Sequence, residues 1–335
     1  MGRLAALATA YGLRWRRRRL LARAISRRGQ LVSIRNRTQA IEADTVLAFA
    51  TMRNERLRLD RWLDHHRELG IGHFLVADNG SDDGTRERLA QEADVSLWAA
   101  EGSYKAARFG MDWLTLLLAR YGHGYWCLTL DADELFVYPH HTTRDLVALT
   151  RWLDMAGHVA VGALMLDLYP RGRLGAIDGG NDLADIPWFD AGNYVSVRQE
   201  RLQNLWVQGG PRARVFFAEE PRRAPTLSKI PLVRWNRRFA YVSSTHSLLP
   251  RRLNRGLGID DAPTGVLLHT KFLADSAVRA RTDKARKEHF ENSDLYGRYY
   301  DALMTDPVLW CETSTRFHGW RQLEGLGLMS RGAWG

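Results

Sequence analysis

From about residue 44 the chain alternates compact apolar runs with segments whose apolar residues recur at helical spacing. TVLAFAT, 45 to 51, is short and apolar throughout, and reads as a strand buried on both faces. It leads into LRLDRWLDHHRELG, where Leu59, Trp62, Leu63, His66 and Leu69 share one helical face and Gly70 supplies a stop. HFLVAD and VSLWAA repeat the strand pattern, separated by NGSDDGTRERLAQEA, a loop feeding a helix. Residues 105 to 121 predict a longer helix ahead of the strand YWCLTL. Alternation of this kind predicts an α/β fold: a mainly parallel sheet flanked by helices, with functional loops beyond the strand C-termini.

After residue 140 the pattern loosens. RDLVALTRWLDM reads as a helix and HVAVGALMLDLYP as a strand, with a Gly-, Pro- and Asp-rich region wrapped against the domain after them. Further strands are expected at RARVFFAE, YVSSTHSLL and GVLLHTKFL. Trp310, Trp320 and Trp334 mark an aromatic packing tail, and His289 in KARKEHF anchors a C-terminal helix. Three units result: an arm over 1–43, a catalytic domain over 44–275 and a helical, aromatic-rich extension over 276–335.

Composition changes this picture mainly at the arm. The 335 residues are 45% hydrophobic and 26% charged, as expected of a soluble chain with a substantial core. Two cysteines, Cys127 and Cys311, cannot build a disulfide scaffold, and a buried Cys127 fits a reducing compartment. Of the net charge of +10, all is carried by residues 1–43, which hold eleven arginines and a single acid, Glu42. Leu13, Leu20, Leu21, Ala24 and Ile25 share part of a helical face there, with Trp15 at its edge. Apolar anchoring with attraction to anionic lipid, about 1 kcal/mol per basic residue at the surface, points to peripheral membrane association. No aromatic-basic platform accompanies the arm, so nucleic acid is not an expected partner. Without an apolar run long enough to span a bilayer or a secretory pattern, the expected location is cytoplasmic, at the inner membrane face.

The candidate chemistry starts at LTLDADELFVYP, residues 128 to 139. Asp131 and Asp133 lie two apart at the exit of an apolar strand, where extended backbone points both the same way. Two uncompensated carboxylates would raise each other's pKa, and a divalent cation removes that conflict. Glu134 either backs such a site or pairs with a base. Arg53, Asn54 and Glu55 follow the first strand, and Asp78 and Asn79 follow the second in ADNGSDDGT, which could alternatively cap a helix through Asp83 or Thr85. There is no GxGxxG or P-loop, so nicotinamide-cofactor and ATP-hydrolysing classes lose their main support.

TMRNE, ADNGSDDGT, YKAARFG and LDADEL, in this order and approximate spacing, resemble nucleotide-sugar glycosyltransferases of the GT-A fold, most closely a bacterial branch of the family-two enzymes. The resemblance implies a Rossmann-like single catalytic domain in which Asp131 and Asp133 match the DxD motif, holding Mn2+ or Mg2+ against the diphosphate of a donor, most commonly UDP-linked. It assigns Asp78 to nucleotide-base recognition with Asn79 nearby, and Thr51, Arg53 and Glu55 to the nucleoside pocket. Arg108 matches an arginine following that pocket, although Phe109 replaces the usual asparagine after it. Lys105 either touches phosphate or exposes its ammonium.

Late in the chain, His269 and Lys271 share one side of a strand, suiting a metal-binding imidazole and an ammonium that stabilises a departing diphosphate. His246 is the rival histidine, as metal ligand, acceptor contact or core residue. Lys229, Arg234, Arg212 and Arg214 are candidate phosphate or acceptor contacts. An inverting transfer needs a carboxylate base. Asp190, beside Trp188 and Phe189, is the candidate, with Asp185, Glu200 and Glu219 as competitors. The expected activity is metal-dependent sugar transfer to a glycan or lipid-linked glycan. A nucleotide-sugar hydrolase or other phosphoryl-transfer enzyme, and a noncatalytic glycan- or membrane-binding protein, are the alternatives.

Overall fold

The computed structural model describes residues 3–176, 183–258, 261–273, 275–276, 279–282 and 293–335. His289 lies outside them. Nine strands form one sheet: β1 (Leu31–Arg35), β2 (Val46–Met52), β3 (Ile71–Asp78), β4 (Val95–Ala100), β5 (Trp126–Thr129), β6 (Glu134–Val137), β7 (Ala160–Asp167), β8 (Ser228–Arg234) and β9 (Gly265–His269). Their spatial order is β1-β4-β3-β2-β5-β8-β7-β9-β6. Six strands, β2 to β5 with β7 and β9, point one way, and β1, β6 and β8 oppose them. The sheet is thus mainly parallel and Rossmann-like, with helices on both faces.

Alternation along β2 shows how the core is divided. Val46, Ala48, Ala50 and Met52 pack with α2 (Arg56–Glu68) and α5 (Leu146–Met155), while Leu47 and Phe49 pack with α4 (Met111–Tyr121) on the other face. Burial on both faces explains why the strand reads as continuous apolar sequence rather than alternating.

The sheet begins before residue 44. Strand β1 pairs antiparallel with β4, and α1 (Arg3–Ser26) docks on α4, where Arg23 reaches the buried Asp112 at 2.7 Å. Strand β8, in the centre of the sheet, is not among the strands expected from sequence, and Pro231 lies within it. Its ladder with β7 shifts register between Lys229 and Leu232, so the residue lacking an N–H falls in an irregularity. The expected strand RARVFFAE is instead a π-helical turn, Arg212–Phe216, and YVSSTHSLL folds into two short strands, Ala240–Tyr241 and Leu248–Leu249.

The helix expected from residue 105 starts at Met111. Arg108, Phe109 and Gly110 precede it with φ of 53°, 57° and 75°. A Cβ on Gly110 would stand 2.7 Å from Thr51 Oγ1, so this turn needs glycine for both conformation and space. Phe109 occupies a left-handed position that asparagine tolerates far better.

Strand β6 ends the sheet, and α2 covers its free edge. His65 Nε2 bonds the Phe136 carbonyl at 2.8 Å, and His66 Nε2 accepts the Phe136 N–H at 3.4 Å while its Nδ1 bonds the Trp62 carbonyl at 2.7 Å. Both histidines therefore satisfy backbone groups that an open edge would leave unpaired. At the chain's end, Trp320 and Trp334 pack beside His140, with ring centres 4.6 and 5.7 Å away.

Candidate functional site

Because the parallel strands share a direction, their last residues collect along one edge. Arg53 to Glu55 follow β2, Asp131 to Asp133 follow β5, Asp167 ends β7 and His269 ends β9. Strand β8 runs the opposite way, so Lys229 near its start arrives at this same edge. A cavity of about 500 Å³ opens there, within the range of small-molecule sites. A second hollow, about 360 Å³, lies at the opposite ends of the strands, beside Thr45 and Trp126.

The acidic motif divides into differently held groups. Asp131, with about half of its side chain exposed, accepts from Lys229 Nζ at 2.6 Å. Glu134 is fully buried; it also pairs with Lys229 and accepts the Asp131 N–H at 3.1 Å. Burial and the neighbouring aspartates push Glu134 above the usual carboxylate range despite Lys229. Burial alone would lower Lys229, and Asp131 with Glu134 more than offset it, holding the amine charged. Glu134 is thus the partner of a buried lysine, which resolves the two readings left by the sequence.

Asp133 meets a different partner. His269 Nε2 stands 3.1 Å from Asp133 Oδ2, and its Nδ1 stands 2.6 Å from Asp167 Oδ1. Burial opposes charge on Asp133, but His269 outweighs it and holds the carboxyl well below its ordinary pKa. For His269, burial lowers the pKa and the two aspartates raise it, with a net upward shift. Arg212, itself buried, clamps Asp167 through Nε at 2.8 Å and Nη2 at 2.6 Å. Asp167 and Arg212 therefore fix the imidazole so that Nε2 faces Asp133.

Among the remaining expected residues, Thr51, Arg53, Glu55, Asn79 and Lys271 line the cavity, as does His246. Thr51 Oγ1 is buried with no hydrogen-bond partner among the described residues. Glu55 pairs with Arg279 and Arg58, and Arg53 Nη1 donates to the Asn79 carbonyl at 3.0 Å. Asn79 Nδ2 is itself spent on the carbonyls of Ala100 and Gly102, at 2.8 and 3.1 Å. Lys271 Nζ sits 5.6 Å from the Tyr299 ring centre. His246 Nδ1 bonds the Ser228 carbonyl at 2.7 Å, which leaves Nε2 as the acceptor nitrogen. Burial and Lys229 lower its pKa to about 4, so it is a neutral imidazole near pH 7.

Four expected site residues are not among those lining the cavity: Asp78, Lys105, Arg108 and Asp190. Asp78 is fully buried, held by Arg86 at 2.6 Å and by Ser81. Its loop works as a cap: Asp83 accepts from Thr85 and from the Arg56 N–H at 2.9 Å, tying two helix starts together. Arg108 bonds Asp112 at 2.7 Å and the carbonyls of Tyr241 and Val242. Lys105 is half-buried.

Asp190 is buried and saturated. Arg214 reaches both of its oxygens at 2.9 Å, Asn193 donates at 3.2 Å, and Tyr169 donates as well. The Asp190 oxygens are thus engaged by side chains of its own chain, away from the cavity lining. Its competitors Asp185, Glu200 and Glu219 are exposed and also away from the cavity lining. Arg234 pairs with Asp154 at 2.7 Å beside the hollow at the far end of the strands.

The sequence reading missed Asp167, Arg58 and Arg279. The signal for Asp167 was present: it closes the apolar run ALMLD as Asp131 closes CLTLD. Arg58 is buried in α2, where it bonds Asp275 at 3.0 Å and the Thr270 carbonyl at 3.3 Å. Among the described residues no three acidic, histidine or cysteine side chains converge as a metal site. Asp133 and His269 face each other, while Lys229 holds Asp131.

No family model matches the chain. It is 26% identical over 102 residues to a glycosyltransferase family 92 protein of Ricinus communis and 27% identical over 101 residues to one of Arabidopsis thaliana. Each match covers 28% of this chain and 16% of the relative, so the chain spans about a sixth of the length of these curated relatives. Among solved structures, 4-diphosphocytidyl-2C-methyl-D-erythritol synthase aligns over 39% of this chain and 65% of its own, at 18% identity. Its TM-score of 0.26 is too low to carry a structural argument.

Proposed function

From this partial likeness to glycosyltransferases and the carboxylate-rich strand edge, we propose that the protein transfers a sugar from a nucleotide-diphosphate donor, UDP-linked in the simplest reading, to a hydroxyl of a glycan or lipid-linked glycan. The observation that carries the proposal is the Asp133–His269–Asp167 alignment on a cavity of about 500 Å³. A carboxylate on one imidazole nitrogen is the arrangement by which metal-ligating histidines are oriented and made more basic. Asp133 and His269 fit a Mn2+ or Mg2+ ion directly, and Asp131 fits once its contact with Lys229 is exchanged. When bound, that ion would neutralise charge developing on a diphosphate.

The chain's own cations extend the same task. Lys271, lining the cavity, offers an ammonium to phosphate oxygens, and Arg279 offers a guanidinium once its pair with Glu55 is exchanged. Lys229, if released from Asp131, adds a third. The unpartnered Thr51 hydroxyl suits a hydrogen bond to the nucleoside. His246, which lines the cavity, presents a neutral acceptor nitrogen to a hydroxyl.

Calorimetry with UDP-sugars, with and without Mn2+, tests the proposal. Binding should require the ion in the wild-type chain and vanish in D133N. Donor turnover that persists in D131A/D133A overturns it. Rapid turnover unaffected by any acceptor points instead to a hydrolase, and no donor binding at all points to a noncatalytic protein.

A further inference from the structure

Helix α1 has two apolar faces, and the domain uses only one. Leu13 and Ala24 are buried, Leu13 against Val242 and Leu249, with Leu20 packed beside them. At 100° per residue the opposite side carries Leu4, Leu7, Tyr11 and Trp15. These are 83%, 61%, 62% and 48% exposed. The face expected from sequence to meet a membrane thus divides, with Leu13 and Ala24 turned inward and Trp15 and Ile25 left exposed. Leucine, tyrosine and tryptophan at i, i+3, i+7 and i+11 form a continuous apolar line about 16 Å long.

Cations flank this line. Arg14, Arg18 and Arg19 are exposed along its borders on the same helix, and the Arg18 guanidinium lies 5.3 Å from the Trp15 ring centre. Other elements add to them. Arg16 is lowered by burial and then by repulsion from Arg201 and Arg108; Arg17 is lowered by burial and then by Arg14, Arg238 and Arg252. Arginines from separate segments are therefore brought together, and the charges that act most on them are like charges. Such a surface fits a partner that is anionic over an extended area and apolar just beneath it.

We propose that the outer face of α1, Leu4, Leu7, Tyr11 and Trp15 with Arg14, Arg18 and Arg19 at its borders, lies in the headgroup layer of a bilayer containing anionic lipid. Apolar side chains enter the acyl boundary, Tyr11 and Trp15 sit at the polar interface, and guanidinium groups meet lipid phosphates. This placement is independent of the chemistry in the cavity.

Co-sedimentation of the full chain with vesicles tests it, using phosphatidylcholine alone and an equal mixture with phosphatidylglycerol. The wild-type chain should bind the mixture, lose binding as salt rises and bind the neutral vesicles far more weakly. R14Q/R18Q/R19Q should weaken binding to the mixture by on the order of 100-fold. L7S/W15S should weaken it by at least about 10-fold, with helix content by circular dichroism unchanged in both variants. Equal binding to both vesicle types, or full binding by L7S/W15S, overturns the proposal. So does displacement by millimolar inorganic pyrophosphate at constant ionic strength, which would mark a soluble-phosphate site. A wild-type dimer by light scattering that L7S/W15S converts to monomer would assign the stripe to a second copy.

Discussion

Two acidic regions of this protein are built from similar parts and have opposite characters. At Asp190 a buried carboxylate is bound by Arg214, Tyr169 and Asn193, with its acceptor positions filled by side chains of its own chain. At the strand edge, Asp131 is half exposed on a cavity, Asp133 faces one imidazole nitrogen, and Thr51 has no partner. A saturated carboxylate stabilises structure but has nothing left to give a ligand. The unsaturated edge is where a ligand can replace contacts that the protein leaves incomplete.

The largest effect should come from the open edge. D133N should lower sugar transfer by about 10³-fold, since the ion's charge stabilisation is worth several kcal/mol, while thermal unfolding stays near wild type. Initial rates with a UDP-sugar, together with scanning calorimetry, read both. In the saturated region the balance reverses. D190A should cost about 3 kcal/mol of stability in urea unfolding by leaving Arg214 unpaired, with kcat of the folded fraction changed only slightly. A collapse of kcat in a fully folded D190A protein would abolish the distinction.

Asp167 joins both types, being buried and paired yet directed at the site through His269. D167N should weaken Mn2+ binding by roughly 10- to 100-fold in calorimetry, because the imidazole loses its orienting carboxylate.

The smallest effect concerns the covered edge of β6. Burial lowers the pKa of His65 to about 4 and that of His66 well below its ordinary value. Between pH 6.5 and 4 the unfolded chain binds protons that the folded chain refuses. Stability should therefore be complete above pH 6.5 and decline as pH falls, by at most about 1.4 kcal/mol per unit for each imidazole. Tm measured from pH 7 to 5 should fall less steeply in H65Q.

Much of the first half of the sheet was legible in sequence because local chemistry and topology agree there. Strands β2 to β5 are apolar runs that end in polar motifs, and a parallel sheet brings such ends together without further information. Thr51, Arg53, Glu55, Asn79, Asp131 and Asp133 accordingly reach one cavity. Asp78 and Arg108 lie close by in sequence but turn away, each claimed by an arginine or acid that the sequence does not identify as its partner. Strand β8 was hidden because a proline in a central strand is tolerated only through an irregularity that pairing with β7 creates.

The sequence by itself determined the α/β class, the basic first segment and the carboxylates at the strand exits, since these follow from hydrophobic period and residue chemistry along the chain. Only the tertiary structure decided which charges remain available. It joined Lys229 to Asp131 across 98 positions, and His269 to Asp167 across 102. It also saturated Asp190 and turned one apolar face of α1 inward and the other out. Neutralisation and exposure depend on neighbours distant in sequence, and those neighbours are set by the packing of the sheet.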